Sequence, residues 1–156
     1  MKKLLLSLML VSASFGLTQA QTTILSEDFE GGSVPASWSN ITNATDGGWI
    51  VGDATTLSSG SFPIDAHTTI AATNDDNCNC DKSNDILSTG TIDLSGQTTV
   101  FMSFASYFYD LSYQGINEDG EVVVSTDGGS TWTSVYTVPA NTGSWQTDMV
   151  NLSAYA

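Results

Sequence analysis

The sequence predicts an all-β protein, specifically a jelly-roll β-sandwich, and three observations support that prediction. No stretch carries apolar residues at i, i+3, i+4 and i+7 over three helical turns. Short runs rich in Val, Ile, Thr and aromatic residues recur instead, separated by Gly, Ser, Asn and Asp. The long connections at 52–65 and 74–85 fit a jelly roll better than an up-and-down barrel. We therefore expect one β-sandwich domain over residues 21–156.

Seven runs are predicted as strands, because each combines β-branched or aromatic residues with turn residues at its ends. In chain order they span 22–29, 49–51, 68–73, 99–109, 121–125, 131–138 and 145–152. In the fourth run both faces are largely apolar, which predicts a central strand covered on two sides. The chain stops directly after the last run, where an unfinished sheet edge would be exposed. We therefore expect this domain to be C-terminally incomplete and to belong to the N-terminal part of a longer protein.

Residues 1–20 have the pattern of a secretory signal peptide. Lys2 and Lys3 precede an apolar run at 4–17, and small residues follow up to Ala20. Cleavage is expected between Ala20 and Gln21. An uncleaved membrane anchor is the alternative, although the run is short for a membrane span. We expect a secreted or cell-surface protein, with no membrane insertion after cleavage and with thiols open to oxidation.

The charge balance excludes two classes of partner. The chain has 17 acidic and 3 basic side chains, and Lys82 is the one basic residue outside residues 1–20. After signal cleavage, 17 acids and one base give a net charge of −16. Nucleic acids and anionic lipid surfaces are bound through Lys and Arg, so both are excluded as partners. The acidity favours solubility and cation binding instead.

Residues 125–132 fit the Asp-box pattern S-x-D-x-G-x-T-W at every fixed position. We interpret the motif as a tight hairpin in which Asp127 accepts backbone N–H groups and Gly128 and Gly129 permit positive φ. Trp132 is expected to re-enter the sheet and pack there. A direct role in ligand binding is the alternative.

Residues 26–38 form a second motif, with acidic side chains around Phe29 and a Gly-Gly turn. Phe29 and Trp38 are predicted core anchors. Asp28 and Glu30 share one face of the predicted strand. Because Ca²⁺ requires several oxygen ligands at once, this pair is a candidate calcium site. A solvated strand edge is the alternative.

The stretch 74–85 holds four Asp, four Asn and two cysteines. Its oxygen density suits Ca²⁺, although it does not match the EF-hand loop. Cys78 and Cys80 are the only cysteines, and His67 is the only histidine, so thiolates cannot complete a four-ligand zinc site. In an oxidising compartment we expect either a strained Cys78–Cys80 disulfide or two free thiols.

Common hydrolase signatures are absent, since the sequence has one His, no G-x-S-x-G and no H-E-x-x-H. We therefore expect no enzymatic activity from this chain and leave the activity of a longer parent protein open.

Six segments in order resemble the motifs of the cleaved-adhesin, or choice-of-anchor J, family, which is related to MAM domains. They are Glu-Asp-Phe-Glu-Gly-Gly with the following Pro and Trp at 27–38, Asp-Gly-Gly-Trp at 46–49, and the segments 67–73, 83–95, 125–132 and 145–156. The resemblance implies a jelly-roll sandwich with a structural Ca²⁺ near the start of its first strand. By position it implies Asp28 and Glu30 as metal ligands, with Asp85 as a further candidate.

The resemblance also implies an adhesive or accessory role on secreted bacterial proteins, with a host or matrix protein or a glycan as partner. Our leading hypothesis is a non-catalytic, calcium-stabilised adhesion module. An accessory domain of a secreted peptidase or glycosidase is one alternative. A carbohydrate-binding module is another, with Tyr107, Tyr109 and Tyr113 as a stacking platform, unless these are half-buried strand residues.

Overall fold

The computed structural model describes residues 21–109, 117–140 and 143–156. The predicted signal peptide and Tyr113 lie outside these ranges. The described elements, in chain order, are β1 (Ser39–Ile41), β2 (Ile50–Gly52), α1 (Ala54–Leu57), β3 (Ile70–Ala72), α2 (Asp75–Cys78), β4 (Ile86–Ser88), β5 (Phe101–Ser106), β6 (Glu121–Val124), β7 (Thr133–Thr137), β8 (Gln146–Asn151) and a 3₁₀ helix (Ser153–Tyr155).

The strands form four antiparallel pairs, which confirms the predicted all-β class. In the first half of the chain β1 pairs with β4, and the connection between them contains the pair β2–β3. The second half repeats this nesting, since β5 pairs with β8 around the pair β6–β7. The finer prediction of a jelly-roll sandwich stays a prediction.

Six of the seven predicted strands overlap an observed one, and the prediction at 22–29 is wrong. Two local side-chain bonds bend the chain there. Glu27 Oε1 accepts the N–H of Phe29 at 2.6 Å, and Asp28 Oδ1 accepts the N–H of Glu30 at 3.1 Å. Phe29 itself has φ = 59°, in the left-handed region. The acidic side chains therefore compete with strand pairing for the backbone donors of this segment.

The sequence analysis missed β1 and β4, and it treated α1 and α2 as parts of long connections. Each of these helices has four residues and an N-terminal cap. Asp53 accepts the N–H of Thr56 at 2.9 Å, and Asn74 accepts the N–H of Asp76 at 3.0 Å. In the described ranges, no helix has the length and apolarity of a transmembrane span.

Among the described residues, the buried apolar side chains are few and lie in two places. Ala54, Leu57 and Ile70 pack together between α1 and β3, with Trp145 partly buried against them. Val100 and Val150 are buried beside the β5–β8 pair. The prediction that β5 is covered on two sides is wrong, because Phe101 is 51 % exposed and only alternate residues of the strand turn inward.

The Asp-box motif joins β6 to β7. Asp127 accepts hydrogen bonds from the N–H of Thr131 at 2.9 Å, from its hydroxyl at 2.6 Å, and from the Ser125 hydroxyl at 2.8 Å. Gly128 and Gly129 have φ of 73° and 89°, as the turn requires. Trp132 does not pack into the sheet as expected, since it is 36 % exposed.

The hydrogen bonds from Thr131 lower the pKa of Asp127 from 3.8 to about 2. A folded-state pKa below the unfolded value means that this carboxylate stabilises the fold above the unfolded pKa, and that the contribution is lost as the pH falls through the folded pKa. We expect the carboxyl ¹³C resonance of Asp127, followed by NMR from about pH 6 to about pH 1.5, to titrate near the lower value. A midpoint at 3.8 or above would contradict the bonding described here.

Candidate functional site

The ammonium group of Lys82 lies between two carboxylates. Its Nζ is 2.6 Å from both oxygens of Asp46 and 3.3 Å from Oδ2 of Asp85. The side chain of Lys82 is 7 % exposed and that of Asp85 is 2 % exposed. We call these three residues, with Thr42 and Thr73, the Lys82 cluster.

Asp85, the third predicted calcium ligand, is committed to this cluster. Its carboxylate accepts hydrogen bonds from the hydroxyls of Thr42 and Thr73, the latter at 2.6 Å, in addition to the ion pair. Its backbone carbonyl accepts the indole N–H of Trp49 at 3.2 Å. Both carboxylate oxygens of Asp85 are therefore already bonded within the cluster.

The cluster lies where the four strands of the N-terminal half end or begin. Thr42 follows β1, Asp46 precedes β2 in the Asp-Gly-Gly-Trp motif, Thr73 follows β3, and Asp85 precedes β4. One ammonium group therefore connects the β1–β4 pair to the β2–β3 pair. It does so through buried or half-buried charges, which solvent screens little.

The Asp-Gly-Gly-Trp loop is fixed beside the cluster by Asn40. The Asn40 amide donates to the carbonyls of Gly47 at 2.9 Å and Trp49 at 2.7 Å, and its Oδ1 accepts the N–H of Trp49 at 3.1 Å. Gly48 is buried with φ = 76°, and a Cβ there would lie 2.8 Å from Asn40 Oδ1. The motif therefore requires glycine at this position.

The cluster also shifts the pKa of Asp46. The hydrogen bond from Lys82 holds this pKa below its ordinary value, against the opposing effect of desolvation. The backbone N–H of Gly48, 3.2 Å from Asp46 Oδ1, lowers it further. Asp46 is therefore ionised and paired over the neutral pH range.

The cysteines lie next to the cluster and are joined in a Cys78–Cys80 disulfide. Asn79, between them, adopts a left-handed conformation with φ = 48° and ends α2. Within the described ranges, Asp46, Cys78 and Cys80 are the grouping whose potential ligand atoms lie within 4.8 Å of one another. The disulfide leaves no thiolate there and Asp46 binds Lys82, so the grouping is not a metal site in this state.

The other predicted calcium ligands, Asp28 and Glu30, lie in the bent segment before β1 and are exposed. Glu30 Oε1 accepts the N–H of Thr69, which fixes this segment beside β3. Phe29 contacts Trp38 edge to face at 5.9 Å, and both are half-buried. The described residues do not bring Asp28, Glu30 and Asp85 into one ligand group. Calcium binding stays a prediction.

A pocket of about 250 Å³ opens between this bent segment, β3 and β5. We call it the Trp145 pocket. Aromatic side chains supply much of its wall, and acidic ones lie in the same lining. The lining includes Glu27, Asp28, Phe29, His67, Phe104 and Trp145.

Trp145 is held in position by three neighbours. Its indole N–H donates to the carbonyl of Asp65 at 3.0 Å. The rings of His67 and Tyr107 lie 4.2 and 5.4 Å from it, centroid to centroid. Tyr107 is itself anchored, because its hydroxyl donates to the carbonyl of Pro63 at 3.0 Å. The pocket therefore has a pre-positioned aromatic wall.

The two described tyrosines of the predicted stacking platform do not form an open surface. Tyr107 and Tyr109 are half-buried, and Tyr109 packs edge to face on Phe62 at 5.2 Å. Burial and the nearby charge of Asp65 raise the pKa of Tyr107. Tyr107 and Tyr109 therefore contact other parts of the chain, and the aromatic side chains that line the pocket beside them are the half-buried Trp145 and the exposed His67.

Sequence reasoning missed one buried carboxylate. Asp148 in β8 is 5 % exposed and accepts hydrogen bonds from the hydroxyls of Ser106 and Tyr136, the latter at 2.7 Å. The bond to Asp148 raises the pKa of Tyr136. Its position in the sequence could have indicated this burial. Inward and outward residues alternate along β8, and Asp148 lies on the inward face with Val150.

Comparison of the chain with protein-family models, curated proteins and solved structures found no match. The resemblance to the cleaved-adhesin family therefore rests on the motifs alone.

Replacing Lys82 by Met should destabilise the protein by about 3 kcal/mol, because it leaves two carboxylates in the cluster without a counter-charge. Urea unfolding followed by circular dichroism measures the loss. The triple variant Lys82→Met with Asp46→Asn and Asp85→Asn should recover a large part of it, since no unpaired charge remains. A loss under about 1 kcal/mol for Lys82→Met would show that the cluster behaves as an ordinary surface ion pair.

Proposed function

We propose that this chain is a non-catalytic binding module of a secreted or cell-surface bacterial protein, built on a calcium-stabilised jelly roll. The observation that carries the binding role is the Trp145 pocket, an open concavity with a fixed indole in its wall. The partner class is a host or matrix protein or a glycan.

The pocket has the features of a recognition site. Aromatic side chains such as Trp supply large contact area at low entropic cost and are enriched at binding hot spots. Trp145 is already oriented by Asp65, His67 and Tyr107, so a partner does not have to order it. Pre-organisation of this kind lowers the cost of association.

Six acidic residues of the described ranges form two groups, and this division supports a binding role for the second. Asp46, Asp85, Asp127 and Asp148 are occupied by hydrogen bonds and ion pairs that stabilise the fold. Glu27 and Asp28 lie in the pocket lining and are exposed. The second group therefore remains available for an external charge or polar group.

The proposed calcium ion binds at Asp28 and Glu30. Each of these carboxylates uses one oxygen for a backbone N–H, and carboxylates fixed in this way are suitable calcium ligands. The cleaved-adhesin resemblance assigns the metal to the same segment. Asp85 is not included, because its oxygens already bind Lys82, Thr42 and Thr73.

Carbohydrate binding is a second candidate, and Trp145 favours it. Sugar rings stack on indole faces, and polar side chains at the rim can accept bonds from hydroxyls. Under this alternative the stacking surface is Trp145 with His67 rather than the tyrosines.

Calcium should raise the thermal midpoint of the protein, because an ion that binds only the native state stabilises it. At a calcium concentration about 100 times the dissociation constant, the gain is about 2.7 kcal/mol. Differential scanning calorimetry with calcium and with chelator measures the shift. The double variant Asp28→Asn with Glu30→Gln should lose it, and the control Asp76→Asn should keep it. An equal midpoint in both buffers would contradict the calcium proposal.

Binding itself is tested on a panel of extracellular-matrix proteins and glycans by biolayer interferometry. We expect saturable binding to at least one partner, weakened about tenfold or more by Trp145→Phe, because the smaller ring loses contact area at the hot spot. Trp132→Phe is the matched control, since Trp132 lies in the β6–β7 turn rather than in the pocket. Equal loss in both variants, or no saturable binding at all, would argue against a binding role for the pocket.

A further inference from the structure

We propose that the Trp145 pocket takes the guanidinium group of an arginine side chain presented by a partner protein. This inference rests on the proposed binding function and specifies the chemistry of its ligand. It is carried by the charge of the pocket lining, the fixed indole and the size of the pocket.

The pocket lining carries two carboxylates and no lysine or arginine. Glu27 and Asp28 lie in the lining together with the imidazole of His67, and each carboxylate uses one oxygen to accept a backbone N–H of its own segment. The one lysine or arginine outside residues 1–20 is Lys82, which is bound in the Lys82 cluster. A guanidinium group therefore has to come from another molecule, and where calcium occupies Asp28, Glu27 is the carboxylate that meets it.

The aromatic wall favours guanidinium over a simple point charge. A planar guanidinium stacks on an indole face and at the same time donates two parallel hydrogen bonds to a carboxylate. Trp is the strongest of the aromatic side chains for cation–π contact. Trp145 is already oriented, and Phe29 and Phe104 add apolar wall for the aliphatic part of an arginine side chain.

The volume of the Trp145 pocket favours a single side chain as its occupant. The pocket holds about 250 Å³, below the roughly 300 to 1,000 Å³ of sites that enclose small-molecule ligands. An oligosaccharide would extend beyond it and would leave the Glu27 carboxylate without a counter-charge. A partner protein with a basic surface is also drawn toward this chain, because outside residues 1–20 the chain has 17 acids and one base.

The test is an NMR titration of the purified protein with Nα-acetyl-arginine amide, observing the indole N–H of Trp145, which the Trp145→Phe spectrum assigns. The matched ligand is Nα-acetyl-citrulline amide, which has nearly the same shape without the charge. Calcium is held constant throughout. We expect a saturable shift with arginine and an affinity about tenfold or more weaker with citrulline, because the charged hydrogen bonds and the cation–π contact are lost.

Variants then locate the charge recognition. Glu27→Gln should weaken arginine binding severalfold, whereas Asp76→Asn, with the same change in net charge outside the pocket, should leave it unchanged. Thermal melts establish that the variants are folded. Equal affinity for arginine and citrulline, equal weakening by Asp76→Asn, or no saturable shift would each overturn the inference.

These outcomes are separable from those of the proposed function. Panel binding that depends on Trp145 together with no response to arginine would leave the binding role intact and remove the arginine assignment. An arginine response without any panel partner would support the pocket chemistry while contradicting the choice of partner class.

Discussion

The ammonium group of Lys82 lies between the carboxylates of Asp46 and Asp85, and the N-terminal half of the structure depends on that arrangement. Thr42 and Thr73 complete the cluster through their bonds to Asp85. These residues flank β1, β2, β3 and β4, so two separate strand pairs share one point of attachment. The β1–β4 and β2–β3 pairs are short, with three residues in each strand, and two-stranded units of that size are not stable alone. A buried ion pair at their common end supplies the missing connection.

The Lys82 cluster also uses the one lysine outside residues 1–20, so other carboxylates of the chain have no lysine partner. Desolvated carboxylates are costly unless they are paired, and the chain has one lysine for that task outside residues 1–20. Because Lys82 is committed to Asp46 and Asp85, no lysine remains to pair with the acids at the Trp145 pocket. The scarcity of lysine therefore explains both the pairing in the Lys82 cluster and the dependence of the pocket acids on external cations, calcium at Asp28 among them.

Local patterns in the sequence predicted much of the fold. Contacts between residues that are far apart in the sequence account for most of the features that these patterns missed. Short runs rich in β-branched and aromatic residues located six strands, and the Asp-box pattern located the β6–β7 turn. The prediction at 22–29 failed because Glu27 and Asp28 bond to the backbone of their own segment. The resemblance to the cleaved-adhesin family suggested Asp85 as a metal ligand, yet its surroundings come partly from Thr42 and Thr73, which no spacing rule connects to it. Trp145 was placed in a strand, but its pocket requires the bent segment, β3 and β5 to meet.

We infer that Asp46 and Asp85 hold an ammonium group, while any calcium ion binds at Asp28 and Glu30. A crystal structure of the protein grown with calcium distinguishes these two positions. We expect Lys82 Nζ within hydrogen-bond distance of Asp46 and close to Asp85, and a calcium ion, identified by its anomalous signal, at Asp28 and Glu30. A calcium ion bound to Asp85, with Lys82 turned to solvent, would show that the assignment is wrong.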